Sequence, residues 1–369
     1  MKEAVGTLVL SKQWKKFWTN HVLDLKTLDF DSDHFRRRWN NRTLFVNYVD
    51  RVLRLRGPRF NRNVEEFSLK YNGLRDDLHR VSRWIRYAAR CKVQKLELDL
   101  YGNQPFGGQE SYRFQISAPT LKTLNITLFS PDEFQRCSQH IFIIQTPNLE
   151  YLTIDDTIFA SYQIPEIPSL VEANIANIGP NSGFINNGEI SRVEARRVML
   201  LLQGIRHARK LSLWETATSA LGHAFDAYGR LPEFQNLLRI ELLIDNCYGW
   251  RLLPHFLSNS PNLEILQIDK QARFIEEGDE EVIPSEETYG WVEPVAVPSC
   301  LALRLKEIKM MALWRSGDEE DVIGYLLENG IYLERMIINF SKDYPSGVLD
   351  KDYIEEFPRG SDRCQLIFH

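Results

Sequence analysis

One pattern of apolar positions recurs along the chain: an apolar residue, two residues, a second apolar residue, one residue and a third apolar residue. Five of the ten spacings between successive first positions are 28 or 29 residues. The last two apolar positions are two apart, so a strand would point both side chains into one core. The pattern therefore predicts eleven strands, whose instances begin at Leu25, Val64, Val93, Leu121, Leu149, Leu170, Ala208, Leu237, Leu263, Leu305 and Leu333.

The segments between several of these strands have the spacing of amphipathic helices. Leu78–Val93 carries apolar residues at steps of three and four, and arginines occupy its other face. Asp318–Tyr332 and Ser191–His207 are two further predicted helices. A strand and a helix in about 28 residues fit the leucine-rich repeat. The sequence predicts an α/β leucine-rich-repeat solenoid, with a parallel concave sheet and helices on the convex side. An open sheet of unrelated βα units is the alternative.

Composition and motifs exclude several classes of protein. The longest aliphatic run is Val198–Leu202, far below the roughly 20 residues that span a bilayer. Five cysteines without a C-x-x-C pair suit a reducing compartment, so cytoplasmic or nuclear localisation is expected. The eight histidines do not fall at metal-ligand spacing, and common catalytic motifs are absent. We therefore expect no enzyme, no cofactor and no metal site.

Charge is unevenly distributed. The whole chain carries −5, whereas residues 1–100 hold 22 basic and 12 acidic residues, or +10. A basic cluster could contact phosphate, and it consists of Arg36–Arg38, Arg51, Arg54, Arg56, Arg59 and Arg62. However, Arg51 and Arg54 fall on the polar side of a predicted helix, and a solvated helix face explains them better than a nucleic-acid interface does.

Both ends of the chain resemble known plant modules. Glu3–Trp18 resembles the closing third of a plant F-box, usually read as AVRTSVLSKRWRxLW, although Gly6 replaces the usual arginine. Phe45–Arg56 resembles the FVDRVLxLR helix of the same proteins. Trp291–Pro294 and Phe357–Phe368 are similar to the opening and closing parts of the FBD domain. The chain is thus identified as resembling a plant F-box/FBD/leucine-rich-repeat protein.

This resemblance implies three parts and a function. Residues 1–24 would be a remnant of the F-box C-terminal helix, residues 25–290 degenerate leucine-rich repeats, and residues 291–369 an FBD domain forming an αβ cap. The implied function is that of a non-catalytic substrate receptor in a Skp–cullin–F-box ubiquitin ligase, with a protein substrate and a Skp-type adaptor as partners. By resemblance, the adaptor-facing residues are Val9, Leu10, Trp14 and Trp18. The LPDELLxxILSxLP portion of the F-box does not precede Met1, so a ligase-independent interaction scaffold is the alternative.

Strand alternation predicts where a protein partner binds. If the second and third apolar positions point into the core, residues two, four and six after the first position face outward. Aromatic and arginine side chains dominate binding hot spots. The predicted partner-binding residues are Tyr151, Asp155, Lys210, Trp214 and Arg239. The alternative for Trp214 is that it packs beneath the loop of residues 179–187.

Overall fold

The structure is a computed structural model, and it describes most of the chain from residue 25 onward. The described residues are 25–39, 42–56, 64–101, 112–129, 140–158, 160–178, 192–214, 217–218, 221–222, 225, 229–244, 249–270, 290–313, 317–341 and 351–369. The predicted F-box remnant 1–24, with Val9, Leu10, Trp14 and Trp18, lies outside them.

Twelve strands form one parallel sheet that runs through the described chain. Their order in the sheet is also their order in the sequence, apart from three strands that belong to a second sheet. The twelve are β1 (Thr27–Asp31), β2 (Glu66–Asn72), β3 (Lys95–Tyr101), β5 (Thr123–Phe129), β7 (Tyr151–Asp156), β9 (Glu172–Ile178), β10 (Lys210–Leu213), β11 (Arg239–Ile244), β12 (Ile265–Lys270), β13 (Glu307–Leu313), β14 (Arg335–Phe340) and β15 (Gln365–Phe368).

The recurring apolar pattern sets the register of this sheet. Leu28 in β1 pairs with Phe67 in β2, which pairs with Leu96 in β3. The second apolar position continues in register from strand to strand as far as Met336 in β14, which pairs with Leu366 in β15. The second and third positions of all eleven instances are buried. All eleven predicted strands are confirmed, and β15 adds a twelfth.

Helices follow several strands of the sheet, both in its first part and from β9 onward. The predicted helices over Leu78–Val93, Ser191–His207 and Asp318–Tyr332 are confirmed, with the bounds of α3, α4 and α7 below. The helices whose bounds the structure describes are α1 (Ser32–Trp39), α2 (Arg42–Arg56), α3 (Leu78–Arg90), α4 (Arg192–Ile205), α5 (Gly249–Asn259), α6 (Ser299–Leu303), α7 (Gly317–Asn329) and α8 (Lys351–Glu355), and a 3-10 turn spans Leu74–Asp77.

Three repeats place a strand where the sequence pattern predicted a helix. β4 (Arg113–Ser117), β6 (Ile141–Gln145) and β8 (Ser161–Gln163) form a small parallel sheet. This sheet continues the layer that α3 begins and α4 resumes, since α3 packs against β4 and α4 against β8. The reason is local, because the residues of β4 alternate exposed and buried with a period of two, which a strand satisfies and a helix does not.

Aromatic rings form the core of the small sheet. The ring of Phe142 lies between those of Phe114 and Tyr162, at centroid distances of 4.8 Å and 5.7 Å. All three residues are at most 2% exposed. The Tyr162 hydroxyl donates to Asp156 Oδ2 at 2.9 Å, and the same carboxylate accepts the amides of Ile158 and Ala160. The segment between the two sheets is thereby held in one conformation.

The sheet continues without a break in pairing order into the segment predicted to be an FBD domain. β13 pairs with β12 in register, and β14 and β15 follow. A buried ion pair between Lys270, at the end of β12, and Glu319 in α7 joins the two segments. The boundary at residue 291 stays a prediction, and the described strands on either side of it share one ladder.

Candidate partner-binding face

One face of the twelve-stranded sheet carries the residues that alternate with the core positions. We call it the open face, and its residues are those two, four and six positions after each first apolar position, together with the residues that continue this alternation to the end of a strand. Tyr151, Lys210 and Arg239 all lie in its first row. In that row Tyr151 of β7 pairs with Glu172 of β9, which pairs with Lys210, which pairs with Arg239. The structure therefore places three of the five predicted residues side by side across four neighbouring strands.

Lys210 and Arg239 share a carboxylate that the sequence prediction did not select. Glu241 Oε1 lies 3.3 Å from Lys210 Nζ and 2.7 Å from Arg239 Nη2. Glu172 binds Lys210 from the other side, at 3.1 Å. Ser212 Oγ donates to Glu241 Oε2 at 2.8 Å, and Arg239 also donates to Gln267 Oε1 at 3.1 Å. We call Glu172, Lys210, Arg239 and Glu241 the central cluster; its formal charges sum to zero.

The protonation of Glu241 shows how tightly this cluster is coupled. Glu241 is 6% exposed, and burial, the largest influence, raises the pKa of a carboxyl group. The hydrogen bond from Ser212 and the charges of Lys210 and Arg239 outweigh burial and hold the pKa of Glu241 below its ordinary value. Glu241 is thus a charged group at neutral pH, and it holds both cations in place.

Asp155 and Trp214 lie further along their strands than the first row. Asp155 is near the end of β7 and accepts a hydrogen bond from Asn177 Nδ2 at 2.8 Å. Trp214 directly follows β10, is half-buried, and its backbone amide donates to the Ile175 carbonyl at 2.8 Å. The predicted residues therefore form two groups, at opposite ends of the strands. The loop of residues 179–187, the alternative cover for Trp214, lies outside the described residues.

A second glutamate on the open face repeats this arrangement. Glu307 in β13 is 5% exposed, pairs with Lys309 Nζ at 3.0 Å, and forms an ion pair with Arg335 of β14. Burial raises the pKa of Glu307, but the hydrogen bonds and charges of Lys309 and Arg335 prevail and lower it. Sequence reasoning missed both clusters because each one joins neighbouring strands. Lys210 is 38 residues from Glu172 and Arg335 is 28 residues from Glu307, and these pairs meet only once the register is known. A glutamate four residues after a first apolar position, as at Glu241, was the available signal.

The described part of the chain also bears on metal and membrane binding. No group of three or more His, Cys, Asp or Glu side chains there could hold a metal ion. None of the helices described above is long and apolar enough to cross a bilayer.

Three proteins of Arabidopsis thaliana illustrate what the chain is similar to. An F-box/LRR-repeat protein is 24% identical, and the alignment covers 99% of this chain and 84% of the relative. F-box/LRR-repeat protein 13 is also 24% identical, with 91% and 85% covered. An F-box/FBD/LRR-repeat protein is 25% identical over 100% of this chain and 92% of its own length.

This chain resembles the plant F-box/LRR-repeat proteins. The resemblance predicted from the two ends of the sequence is thereby confirmed, including the similarity to F-box/FBD/LRR-repeat proteins. The leucine-rich-repeat fold is confirmed by the parallel sheet together with these relatives. No protein-family model matches the chain. The relatives support a protein of the F-box receptor type.

Proposed function

We propose that this chain is a non-catalytic protein-binding receptor that recognises the substrate of a Skp–cullin–F-box ubiquitin ligase. The observation that carries the proposal is the open face, where twelve parallel strands in one sheet present ion-paired and aromatic side chains. A sheet of this size is wide enough for a protein interface, which buries roughly 800 Å² on each partner. The names of the relatives supply the F-box assignment. Its place of action would be the cytoplasm or the nucleus.

Within the open face, we assign the substrate contact to the central cluster and its neighbours. Lys210 and Arg239 are about one third exposed and fixed by Glu172 and Glu241. A fixed cation loses little conformational entropy when a partner binds. Tyr151 is 43% exposed in the same row and provides a rigid aromatic anchor. Asp155 and Trp214 would extend the contact toward the carboxyl ends of the strands.

Coupling to the ligase is tested by co-purifying the full chain with a recombinant Skp-type adaptor. We expect a stable complex that Leu10→Asp weakens by more than tenfold, because a charge would enter an apolar contact. Leu303→Asp is the matched control, since Leu303 is 62% exposed at the far end of the described chain. Failure of the wild-type chain to bind the adaptor would overturn the ligase role and leave the scaffold alternative.

The substrate contact is tested separately by photo-crosslinking in plant cell extract. A photoreactive phenylalanine analogue replaces Tyr151 in one protein and Tyr353 in another. These tyrosines are 43% and 44% exposed, but Tyr353 lies on α8, away from the open face. We expect crosslinks to partner proteins from position 151 and few from position 353. Equal crosslinking from both positions would contradict the assignment of the open face as the contact surface.

A further inference from the structure

Two aromatic side chains lie next to each other at the carboxyl ends of β3 and β5. Tyr101 and Phe129 are register partners on the open face, and their ring centroids are 5.8 Å apart with an interplanar angle of 59°. Phe129 is 43% exposed, although a phenylalanine on a sheet normally packs into a core. Sequence reasoning ended each strand two residues earlier and missed this pair.

Carboxylates adjoin the two rings. Asp99 lies two residues before Tyr101 on the same face, and the register runs from Asp99 through Thr127 to Asp155. Asp155 is held by Asn177. The aromatic pair therefore stands beside two carboxylates on β3 and β7, and we call these four residues, Asp99, Tyr101, Phe129 and Asp155, the aromatic–acidic patch.

The surroundings of the patch carry excess negative charge. The open face of β1, β2, β3, β5 and β7 carries six carboxylates and two amines, so its net charge is −4. The carboxylates are Asp29, Asp31, Glu66, Glu97, Asp99 and Asp155, and the amines are Lys70 and Lys95. Lys95 pairs with Glu97 at 2.7 Å and Lys70 with Asp33 at 3.3 Å. The overall charge of residues 1–100 is positive, so the sign is reversed on this face.

A cation already lies near the face of one ring. Lys70 Nζ is 5.8 Å from the centroid of Tyr101, within the range of cation–π attraction. Burial raises the pKa of Asp99, and the charges of Glu97 and Asp155 raise it further, against the hydrogen bond from Thr127 and the charge of Lys70. A second cation beside Asp99 would relieve this repulsion. The patch is thus electrostatically complementary to a cation with an apolar, planar surface.

We propose that the aromatic–acidic patch binds an arginine-bearing, basic segment of the partner protein. A guanidinium would stack on the exposed ring of Phe129 and interact with the carboxylates of Asp99 and Asp155. Arginine fits better than lysine because its planar group is weakly hydrated and stacks on aromatic faces. This inference rests on the proposed receptor function and names the chemical class of its protein partner.

The test measures binding of fluorescent peptides to the full chain by anisotropy. The probe is a nonapeptide with four arginines separated by glycine and serine, and lysine and glutamate versions of it are compared. We expect the arginine peptide to bind most tightly and the glutamate peptide not to bind. Phe129→Ala should weaken the arginine peptide roughly 3- to 30-fold, and Asp99→Asn should weaken it by a similar factor.

Matched variants distinguish a specific site from general attraction between charges. Glu334→Gln removes one exposed carboxylate outside the patch, and Tyr332→Ala removes a ring that is 58% exposed. Neither should change affinity by more than about twofold. Equal weakening by Glu334→Gln and Asp99→Asn, or unchanged binding in Phe129→Ala, would overturn the proposal. Circular dichroism melts of Asp99→Asn confirm that folding is intact.

This result is independent of the two tests of the receptor function. Adaptor binding depends on the segment that holds Leu10, so its failure would leave peptide binding unaffected. Failure of arginine-peptide binding with persistent crosslinking from position 151 would reject the basic partner segment and retain the receptor.

Discussion

The two halves of the open face belong to one sheet but differ in their net charge and in how their charges are paired. On β9 to β15, four cations and four carboxylates sum to zero, and two buried glutamates, Glu241 and Glu307, hold cations on both sides. On β1 to β7 the sum is −4, and an exposed aromatic pair lies beside Asp99 and Asp155. We call β1 to β7 the acidic half and β9 to β15 the neutral half. The carboxylates of the acidic half remain available to a partner, whereas the charges of the neutral half are largely neutralised within the protein.

The layer behind the sheet differs between the halves as well. Strands β4, β6 and β8 lie behind part of the acidic half, and helices α4 to α7 follow behind the neutral half. The strands pair in register across this change from Tyr151 to Ile154 of β7, and the register of β7 with β9 shifts only after Ile154. A repeat of this kind therefore needs only an apolar face behind each strand, and either a strand or a helix supplies it.

The largest expected effect compares the cores of the two halves. Phe142→Ala in β6 empties the stack between Phe114 and Tyr162 and should lower the free energy of unfolding by about 3–5 kcal/mol. Phe256→Ala in α5, where Phe256 is 1% exposed, should cost a similar amount. Urea unfolding followed by circular dichroism measures both. A much smaller loss for Phe142→Ala would mean that the small sheet is loosely packed.

A smaller effect separates the ion pairs of the two halves. Glu241→Gln leaves Lys210 and Arg239 without their shared charge, and the unfolding free energy should fall by about 1–3 kcal/mol. Glu97→Gln is the counterpart in the acidic half, where Glu97 binds Lys95 at 2.7 Å but its side chain is 35% exposed. This change should cost about 0–1 kcal/mol. Equal losses would contradict the view that, on the open face, only the neutral half depends on buried carboxylates.

Most of the sheet could be predicted from the sequence because its signal is local. Each strand carries its own buried pair, such as Leu28 with Phe30 or Met336 with Ile338, and no distant residue is needed to recognise it. The convex layer was harder to predict. In β4 the period-two alternation of Phe114 and Ile116 spans only five residues, too short to outweigh the expectation of a helix drawn from neighbouring repeats.

The candidate site was predicted only in part, because its chemistry depends on register. Lys210 and Arg239 could be selected as outward residues, but the contacts of Lys210 with Glu172 and Glu241 follow from the pairing of β10 with β9 and β11. The net charge of residues 1–100 does not describe the open face, since arginines such as Arg86 and, as predicted, Arg51 lie on exposed helix surfaces while the open face is acidic. The net charge of a stretch of sequence does not show which face of the folded protein carries that charge.

The smallest effect tests the electrostatic contrast through pH. Because the pKa of Asp99 is raised on folding, its charge opposes the folded state at neutral pH, and stability is gained as pH falls through that raised pKa. The pKa of Glu241 is lowered, so its contribution is present above the ordinary value of 4.5 and is lost as pH falls through the folded value. At pH 7, Asp99→Asn should thus raise the unfolding free energy by about 0.5 kcal/mol or less, whereas Glu241→Gln lowers it.

The unfolding free energies of both variants should approach that of the wild-type protein in acid. Asp99→Asn approaches it from above and Glu241→Gln from below. Once Asp99 is protonated in the wild-type protein, the asparagine has no charge left to remove, and the same holds for Glu241 and glutamine. Urea midpoints between pH 3.5 and pH 7.5 follow this convergence. A destabilised Asp99→Asn protein at pH 7 would show that the hydrogen bond with Thr127 outweighs the burial and repulsion of the carboxylate, and the acidic half would then be as internally neutralised as the other.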